Sequence, residues 1–129
     1  MKMDYVARAR ALVGTRFRAQ GRGPEGLDCV GVVLGVFAIP AQGLRTDYAL
    51  RGDNLDELRG ELRRQFRQIS KSQLRPGDVM LLQAGEGQPH LGIRTAEGFV
   101  HAHAGIRRVV ETPGLPELPL IGIYRKRSR

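Results

Sequence analysis

One cysteine and three histidines are the residues of this chain whose types could support nucleophilic chemistry. Cys29 follows a glycine-rich loop and opens an apolar segment, whereas His90, His101 and His103 all lie in the second half of the chain. A thiol activated by an imidazole from a distant part of the sequence is the arrangement used in cysteine-based acyl transfer. From spacing alone, a buried structural cysteine is the competing interpretation.

The segment that carries Cys29 is predicted to be a buried helix. Residues 28–37 read DCVGVVLGVF, and Asp28 is of a type that caps helix N-termini. The length of the segment favours a helix, although its β-branched content leaves a strand as the alternative. A helix N-terminus at Cys29 would favour the thiolate. We interpret Asp28 as a helix cap in preference to a catalytic acid.

Two further helices are predicted, over residues 4–13 and 54–68. Asp4 would cap the first, and Asn54 with Glu57 has the spacing of a capping box at the start of the second. The apolar face of the first helix is expected to consist of Val6, Ala9, Leu12 and Val13. That of the second is expected to consist of Leu55, Leu58, Leu62, Phe66 and Ile69.

The second half of the chain has the sequence pattern of an antiparallel sheet. Short apolar runs are separated by turns that contain glycine or proline, and we predict strands at 78–83, 90–95, 98–103, 106–111 and 120–125. Asp78 is expected to close the turn formed by Pro76 and Gly77. Helices in the first half and strands in the second predict an α+β fold. We expect one domain over 1–125, followed by a basic tail over 126–129.

Composition excludes several classes of protein and favours anionic partners. The chain has 129 residues, one cysteine and a net charge of +8, so an internal disulfide framework and a Cys-only zinc site are excluded. No apolar run is long enough for a membrane span, and the N-terminus lacks the apolar region of a secretory signal. The charge suits nucleic acid, a membrane surface or an acidic wall polymer. Three tyrosines, four phenylalanines and no tryptophan disfavour a specific nucleic-acid partner.

Several short segments together resemble the NlpC-type cell-wall cysteine peptidases. They are GTRF at 14–17, DCVG at 28–31, LRPGDVMLL at 74–82, HLGI at 90–93, FVHA at 99–102 and GIRRVVE at 105–111. Each segment alone is weak, but their order and gaps match the family over most of residues 5–111. The phrase FVHAHAG followed by RRVVETP is most similar to the single-domain phage-tail and prophage branch.

The resemblance implies a papain-like fold and a role for each candidate residue. Cys29 would be the nucleophile, His90 its general base and His101 the third polar residue, which holds the His90 ring in the required tautomer. A hairpin with a tight turn between the two histidines would bring both to one face of the sheet. The Cys-bearing helix would pack on a small antiparallel sheet, and the backbone N–H of Cys29 would contribute to an oxyanion hole.

Three other positions are assigned to the substrate cleft, and two features depart from the family. Phe17, Asp28 and His103 are expected to line the cleft, with His103 at its rim. The family usually has a tyrosine at the position of Phe17 and more often a serine at Val30, so a hydroxyl donor is lost at Phe17. Zinc bound by Cys29 and the histidines is the disfavoured alternative, and no metal or other cofactor is expected.

The implied function is hydrolysis of peptidoglycan stem peptides, at the bond between D-glutamate and a diamino acid. Two alternatives stand beside it: a phage-tail assembly or structural protein with little turnover, and a thiol amidase or acyltransferase with the same dyad. Stem peptides carry carboxylates, which suit the basic surface. The protein is expected to be cytoplasmic as synthesised and to reach the wall with a virion or its tail proteins.

Overall fold

The structure is a computed structural model that describes residues 4–17, 22–23, 26–39, 55–85 and 88–127. The helices of these ranges are α1 (Tyr5–Ala11), α2 (Cys29–Val36) and α3 (Leu55–Gln65). The strands are β1 (Arg22–Gly23), β2 (Gly26–Leu27), β3 (Phe66–Ile69), β4 (Val79–Gly85), β5 (Gln88–Arg94), β6 (Gly98–His103), β7 (Arg108–Pro113) and β8 (Leu120–Lys126). None of the helices in the described ranges has the length and apolar character needed to span a bilayer.

Strands β3 to β8 form one antiparallel sheet, which confirms the predicted α+β class. Its strand order is β3-β8-β4-β5-β6-β7, and every neighbouring pair is antiparallel. The strands β4 to β7 are consecutive in sequence and adjacent in space, as short hairpin connections dictate. Strands β1 and β2 form a separate two-stranded ladder in the segment that was predicted as a loop.

Helix α1 is capped at its N-terminus and is held against α2 by one arginine. The carboxylate of Asp4 accepts a hydrogen bond of 3.0 Å from the backbone N–H of Ala7, which confirms the predicted cap. Arg8 donates to the backbone carbonyl of Val36 at 2.6 Å, where the last carbonyls of α2 need partners. The helix ends at Ala11, two residues earlier than predicted, and Val13 is 44% exposed, so Val13 does not belong to the buried face.

The prediction that α3 continues to residue 68 is wrong. The helix ends at Gln65, and Phe66–Ile69 is strand β3, paired with the last strand from Phe66↔Lys126 to Ile69↔Ile123. Phe66 and Ile69 are both buried, and their spacing of three residues is the same as that of a helical stripe. Ladder hydrogen bonds to β8, which the local pattern cannot reveal, decide the conformation. Asn54 and the side chain of Glu57, the predicted capping box, lie outside the described residues.

The basic segment at the C-terminus is part of the sheet as far as Lys126. Arg125 lies in β8, and its guanidinium donates two hydrogen bonds of 2.8 Å to the carboxylate of Asp78. Asp78 also accepts from the backbone N–H of Arg75 at 2.9 Å, which confirms that it closes the turn before β4. Lys126, which was expected to belong to the tail, is therefore a strand residue, and Arg125 forms a partly buried ion pair with Asp78.

The two faces of the sheet have different neighbours. One face contributes to the main core together with the helices, and its members include Leu91, Ile93 and Val100. Alternate residues of β4 and β6 face the other way, where Met80, Leu82 and Phe99 form a smaller apolar cluster. This alternation follows from the period of two residues in a strand.

Gly98 allows β6 and β7 to approach closely, and we expect its replacement by alanine to destabilise the fold by about 3 kcal/mol. A Cβ atom at Gly98 would lie 2.8 Å from the carbonyl carbon of Thr112 and 2.9 Å from Cα of Pro113, so backbone would have to move. Gly60, in α3, is the matched control because a Cβ there meets nothing within 4 Å. Gly60→Ala should be neutral or stabilising by about 0.5–1 kcal/mol. Urea denaturation of both variants checks this; equal stabilities would contradict it.

Candidate active site

Cys29 occupies the first position of α2, and Asp28 is the N-cap of that helix. The Asp28 carboxylate accepts a hydrogen bond of 2.9 Å from the backbone N–H of Gly31. This confirms both the helix and the cap predicted for the segment. Asp28 and Cys29 are 5% and 4% exposed, and the thiol lies in the first turn of the helix, at the positive end of the helix dipole.

Packing of α2 on the sheet positions this first turn. The helix is apolar along most of its length and packs against β5 and β6. Cys29 belongs to the same hydrophobic cluster as Leu91 and Ile93 of β5 and Val100 of β6. The helix therefore rests on the two strands that bear His90 and His101, against the residues Leu91, Ile93 and Val100 that alternate with the two histidines.

His90 and His101 are in direct contact. Nε2 of His90 lies 2.8 Å from Nδ1 of His101, and the two rings meet edge to face with their centroids 5.1 Å apart. Nε2 of His101 lies 2.9 Å from Oγ1 of Thr112. The three side chains form a continuous hydrogen-bonded chain from β5 through β6 to β7. The prediction that a hairpin brings the two histidines together is confirmed.

Gly92 provides the space for this contact. Gly92 directly precedes Ile93, which pairs with Val100, and a Cβ at Gly92 would lie 3.7 Å from Cβ of His101. The same atom would lie 3.1 Å from Cδ2 of Phe99, whose ring packs on the His101 ring at 4.5 Å. Because position 92 has no side chain, the imidazoles can meet diagonally across the two strands.

Both histidines are neutral at pH 7. Burial lowers the pKa of His90 from 6.5 to about 4, with the charge of His103 as a second cause. Burial also lowers the pKa of His101 to about 4, and the charges of His90 and His103 add to the effect. A neutral imidazole has one donor and one acceptor nitrogen. The hydrogen bonds that link His90, His101 and Thr112 are therefore all donated in the same direction at any one time.

Acid is expected to destabilise the fold through these two histidines. Between pH 6.5 and about 4 the unfolded chain binds protons that the folded chain does not, because the pKa values are lower in the folded state. The free energy of unfolding should fall by about 3 kcal/mol or more as the pH drops through this range, because the shift of one of these histidines alone is worth about 3 kcal/mol. Urea denaturation at several pH values measures the slope, and a variant with both His90→Gln and His101→Gln should have a flatter dependence. The same slope in both proteins would contradict the assignment.

Phe17 and His103 lie next to the turn that joins β6 to β7. The backbone N–H of Phe17 donates to the carbonyl of Arg107 at 3.0 Å, and its ring packs against the main core. Nδ1 of His103 accepts from the backbone N–H of Ile106 at 3.2 Å. The His103 ring centroid lies 5.5 Å from that of His101, so His103 borders the histidine pair. Within the described ranges, no group of three or more His, Cys, Asp or Glu residues is arranged to hold a metal ion.

Thr112 is the member of the site that the sequence does not reveal. The strand after His103 was expected to end at residue 111, whereas β7 extends to Pro113 and pairs Thr112 with Phe99. This register places the Thr112 hydroxyl diagonal to His101, on the same face. The length of the turn between β6 and β7 sets this register. Thr112 could therefore be found from the sequence only if the length of that turn were known.

Comparison with known proteins identifies a family and several relatives. Residues 14–114 match the model of the NlpC/P60 family. The chain is 30% identical over 104 residues to the Murein DD-endopeptidase MepS/Murein LD-carboxypeptidase of Escherichia coli (strain K12). That match covers 80% of this chain and 50% of the relative, so the chain spans about half the length of the curated relatives it matches.

Solved structures share the fold. NlpC2 from Trichomonas vaginalis superposes with a TM-score of 0.71 and 18% identity, over 97% of this chain and 46% of that protein. The NlpC/p60 domain of the peptidoglycan hydrolase SagA has a TM-score of 0.58 and 25% identity, over 85% of this chain and 86% of that domain. The comparison with Trichomonas NlpC2 supports the papain-like α+β architecture alone.

Proposed function

Because the chain belongs to the NlpC/P60 family, we propose that it is a peptidoglycan hydrolase that uses Cys29 as a nucleophile. The observation that carries the proposal is the hydrogen-bonded pair of His90 and His101 on the strands that support the cysteine helix. The names of two relatives, a murein endopeptidase and a peptidoglycan hydrolase, agree with this substrate. Cys29, His90 and His101 are the proposed triad.

The proposed first step is transfer of the thiol proton to Nδ1 of His90. Nε2 of that ring is engaged with His101, so Nδ1 is the nitrogen assigned to the thiol. The thiolate attacks the carbonyl carbon of a stem-peptide bond, and the leaving amine takes the proton back from Nδ1. Water, deprotonated by His90, then hydrolyses the thioester, which releases the acid and restores the thiol.

Burial of His90 sets the electrostatic requirement of this step. A pKa of about 4 means that an isolated imidazolium is unfavourable in this environment. The thiolate formed at the same time would supply the opposite charge, and the N-terminus of α2 would stabilise that thiolate. The backbone N–H of Cys29 is proposed as one donor of the oxyanion hole.

The proposed substrate is the stem peptide, cleaved between D-glutamate and the diamino acid. Arg16, Arg107 and Arg108 are exposed beside Phe17, so carboxylates of a stem peptide would meet positive charge there. Phe17 is proposed to contribute an apolar wall where relatives place a hydroxyl, and Asp28 and His103 complete the proposed lining. Asp28 would contribute to the site by capping α2, since its carboxylate accepts a hydrogen bond from the backbone N–H of Gly31 and so fixes the first turn of the helix.

Digestion of purified sacculi by the purified protein tests this function. Product masses identify the bond that is cut, and release of fragments ending at D-glutamate is the expected result. Products that retain an intact stem peptide, or that carry a transferred acyl group, would instead indicate an amidase or acyltransferase using the same residues. No fragment release by the folded protein would contradict hydrolysis.

The alternative is a tail-associated protein that keeps the fold with little turnover. Phe17 is the observation that favours it, because this position lacks the hydroxyl of the family's tyrosine. In that case phage-tail proteins would be the partners and the virion would carry the protein to the wall. Phe17→Tyr distinguishes the two: an activity gained only in this variant would support the alternative, and activity in the unmodified protein would reject it.

A further inference from the structure

Thr112 is the last member of the hydrogen-bonded series His90–His101–Thr112, and it is in direct contact with His101. Nδ1 of His101 is 2.8 Å from Nε2 of His90, and Nε2 of His101 is 2.9 Å from Oγ1 of Thr112. Both ring nitrogens of a residue that is 8% exposed are therefore engaged. The centroid of the Phe99 ring lies 4.5 Å from that of the His101 imidazole, and residue Phe99 pairs with Thr112 across β6 and β7.

The proton positions along this chain are linked. When His90 carries a proton on both nitrogens, its Nε2–H donates to Nδ1 of His101, so the proton of His101 has to be on Nε2. From there it donates to Oγ1 of Thr112. In the opposite direction the Thr112 hydroxyl donates to Nε2 of His101, whose Nδ1–H points at Nε2 of His90. His90 then has its own proton on Nδ1 and cannot accept one there.

We propose that Thr112 is a positioning residue, which accepts a hydrogen bond from Nε2 of His101 and so holds that ring in the tautomer His90 needs as a general base. This inference rests on the proposed function of His90. The acceptor Oγ1 of Thr112 matters most when His90 is charged, because hydrogen bonds can then be donated only in the direction from His90 through His101 to Thr112. Loss of Oγ1 would leave the N–H of a buried ring without this acceptor, and that penalty opposes protonation of His90.

Thr112→Val and Thr112→Ser are the matched variants. Valine keeps the shape of threonine without the hydroxyl, whereas serine keeps the hydroxyl without the methyl group. We expect Thr112→Val to slow fragment release about 10- to 100-fold and Thr112→Ser to stay within about threefold of the unmodified protein. In Thr112→Val the rise of Cys29 alkylation rate with pH should also move to higher pH. Thermal unfolding of both variants confirms that they fold, and Thr112→Ala replaces valine if it does not.

Imidazole ¹⁵N spectra of His101 provide a readout that does not depend on hydrolysis. At neutral pH the unmodified protein should have the proton on Nε2, and Thr112→Val should shift His101 towards the Nδ1–H tautomer. An unchanged tautomer with an unchanged hydrolysis rate would overturn the role of Thr112 and leave the proposed function intact. If the unmodified protein does not hydrolyse peptidoglycan, the proposed function fails. The spectra alone then decide whether Thr112 fixes the tautomer of His101: a shift in Thr112→Val supports this role, and no shift overturns it.

Discussion

Replacement of Cys29 by alanine is expected to reduce the release of peptidoglycan fragments by a factor of about 10⁴ or more. In the proposed mechanism the thiol is the only group that forms a covalent bond to the substrate, so no other residue can take over its step. Cys29 lies in the buried first turn of α2, and alanine fits that position with little change in packing. The measurement is the amount of soluble fragment released from sacculi over time.

Two controls make this result specific to the chemistry. Urea denaturation has to show that Cys29→Ala is folded, with a loss of stability below about 1.5 kcal/mol. Cys29→Ser, which keeps a hydroxyl in place of the thiol, should also be strongly impaired because serine is a weaker nucleophile in a site built for a thiol. Fragment release by Cys29→Ala at the rate of the unmodified protein would exclude the proposed mechanism.

Replacement of His90 by alanine should have the second largest effect, a loss of about 10³-fold or more. Without the ring, the thiol proton has no acceptor and the leaving amine has no proton donor. His101→Gln should cost less, because glutamine can still accept a hydrogen bond from Nε2 of His90. Added imidazole should restore part of the activity of His90→Ala and none of the activity of Cys29→Ala. Equal losses in His90→Ala and His101→Gln would contradict the separate roles assigned to the two rings.

Local patterns were sufficient for the elements that carry the site. The cap at Asp28 and the apolar run after it predicted α2, since both signals depend on residues close in sequence. The hairpin between His90 and His101 followed from a tight turn between two short strands, and the structure places the rings in hydrogen-bond contact. The resemblance supplied the roles of these residues, which spacing alone left open.

Features that depend on distant pairing were not predictable. Phe66 and Ile69 fit a helical stripe as well as they fit a strand, and β8, nearly sixty residues later in the chain, decides between the two. Lys126 was expected in the tail, and nothing nearby in sequence indicates the ion pair that Arg125 makes with Asp78. Thr112 joins the site through the register of β7, and a shift of one residue would turn its hydroxyl to the other face.

Activation of Cys29 by His90 is tested most directly by the rate of Cys29 alkylation as a function of pH, compared between the unmodified protein and His90→Ala. A small electrophile such as iodoacetamide is suitable because the thiol is 4% exposed. We expect rapid alkylation that persists well below the ordinary thiol pKa of about 8.5 and is lost in His90→Ala. Slow alkylation with a midpoint near about 8.5 in both proteins would contradict activation of Cys29 by His90.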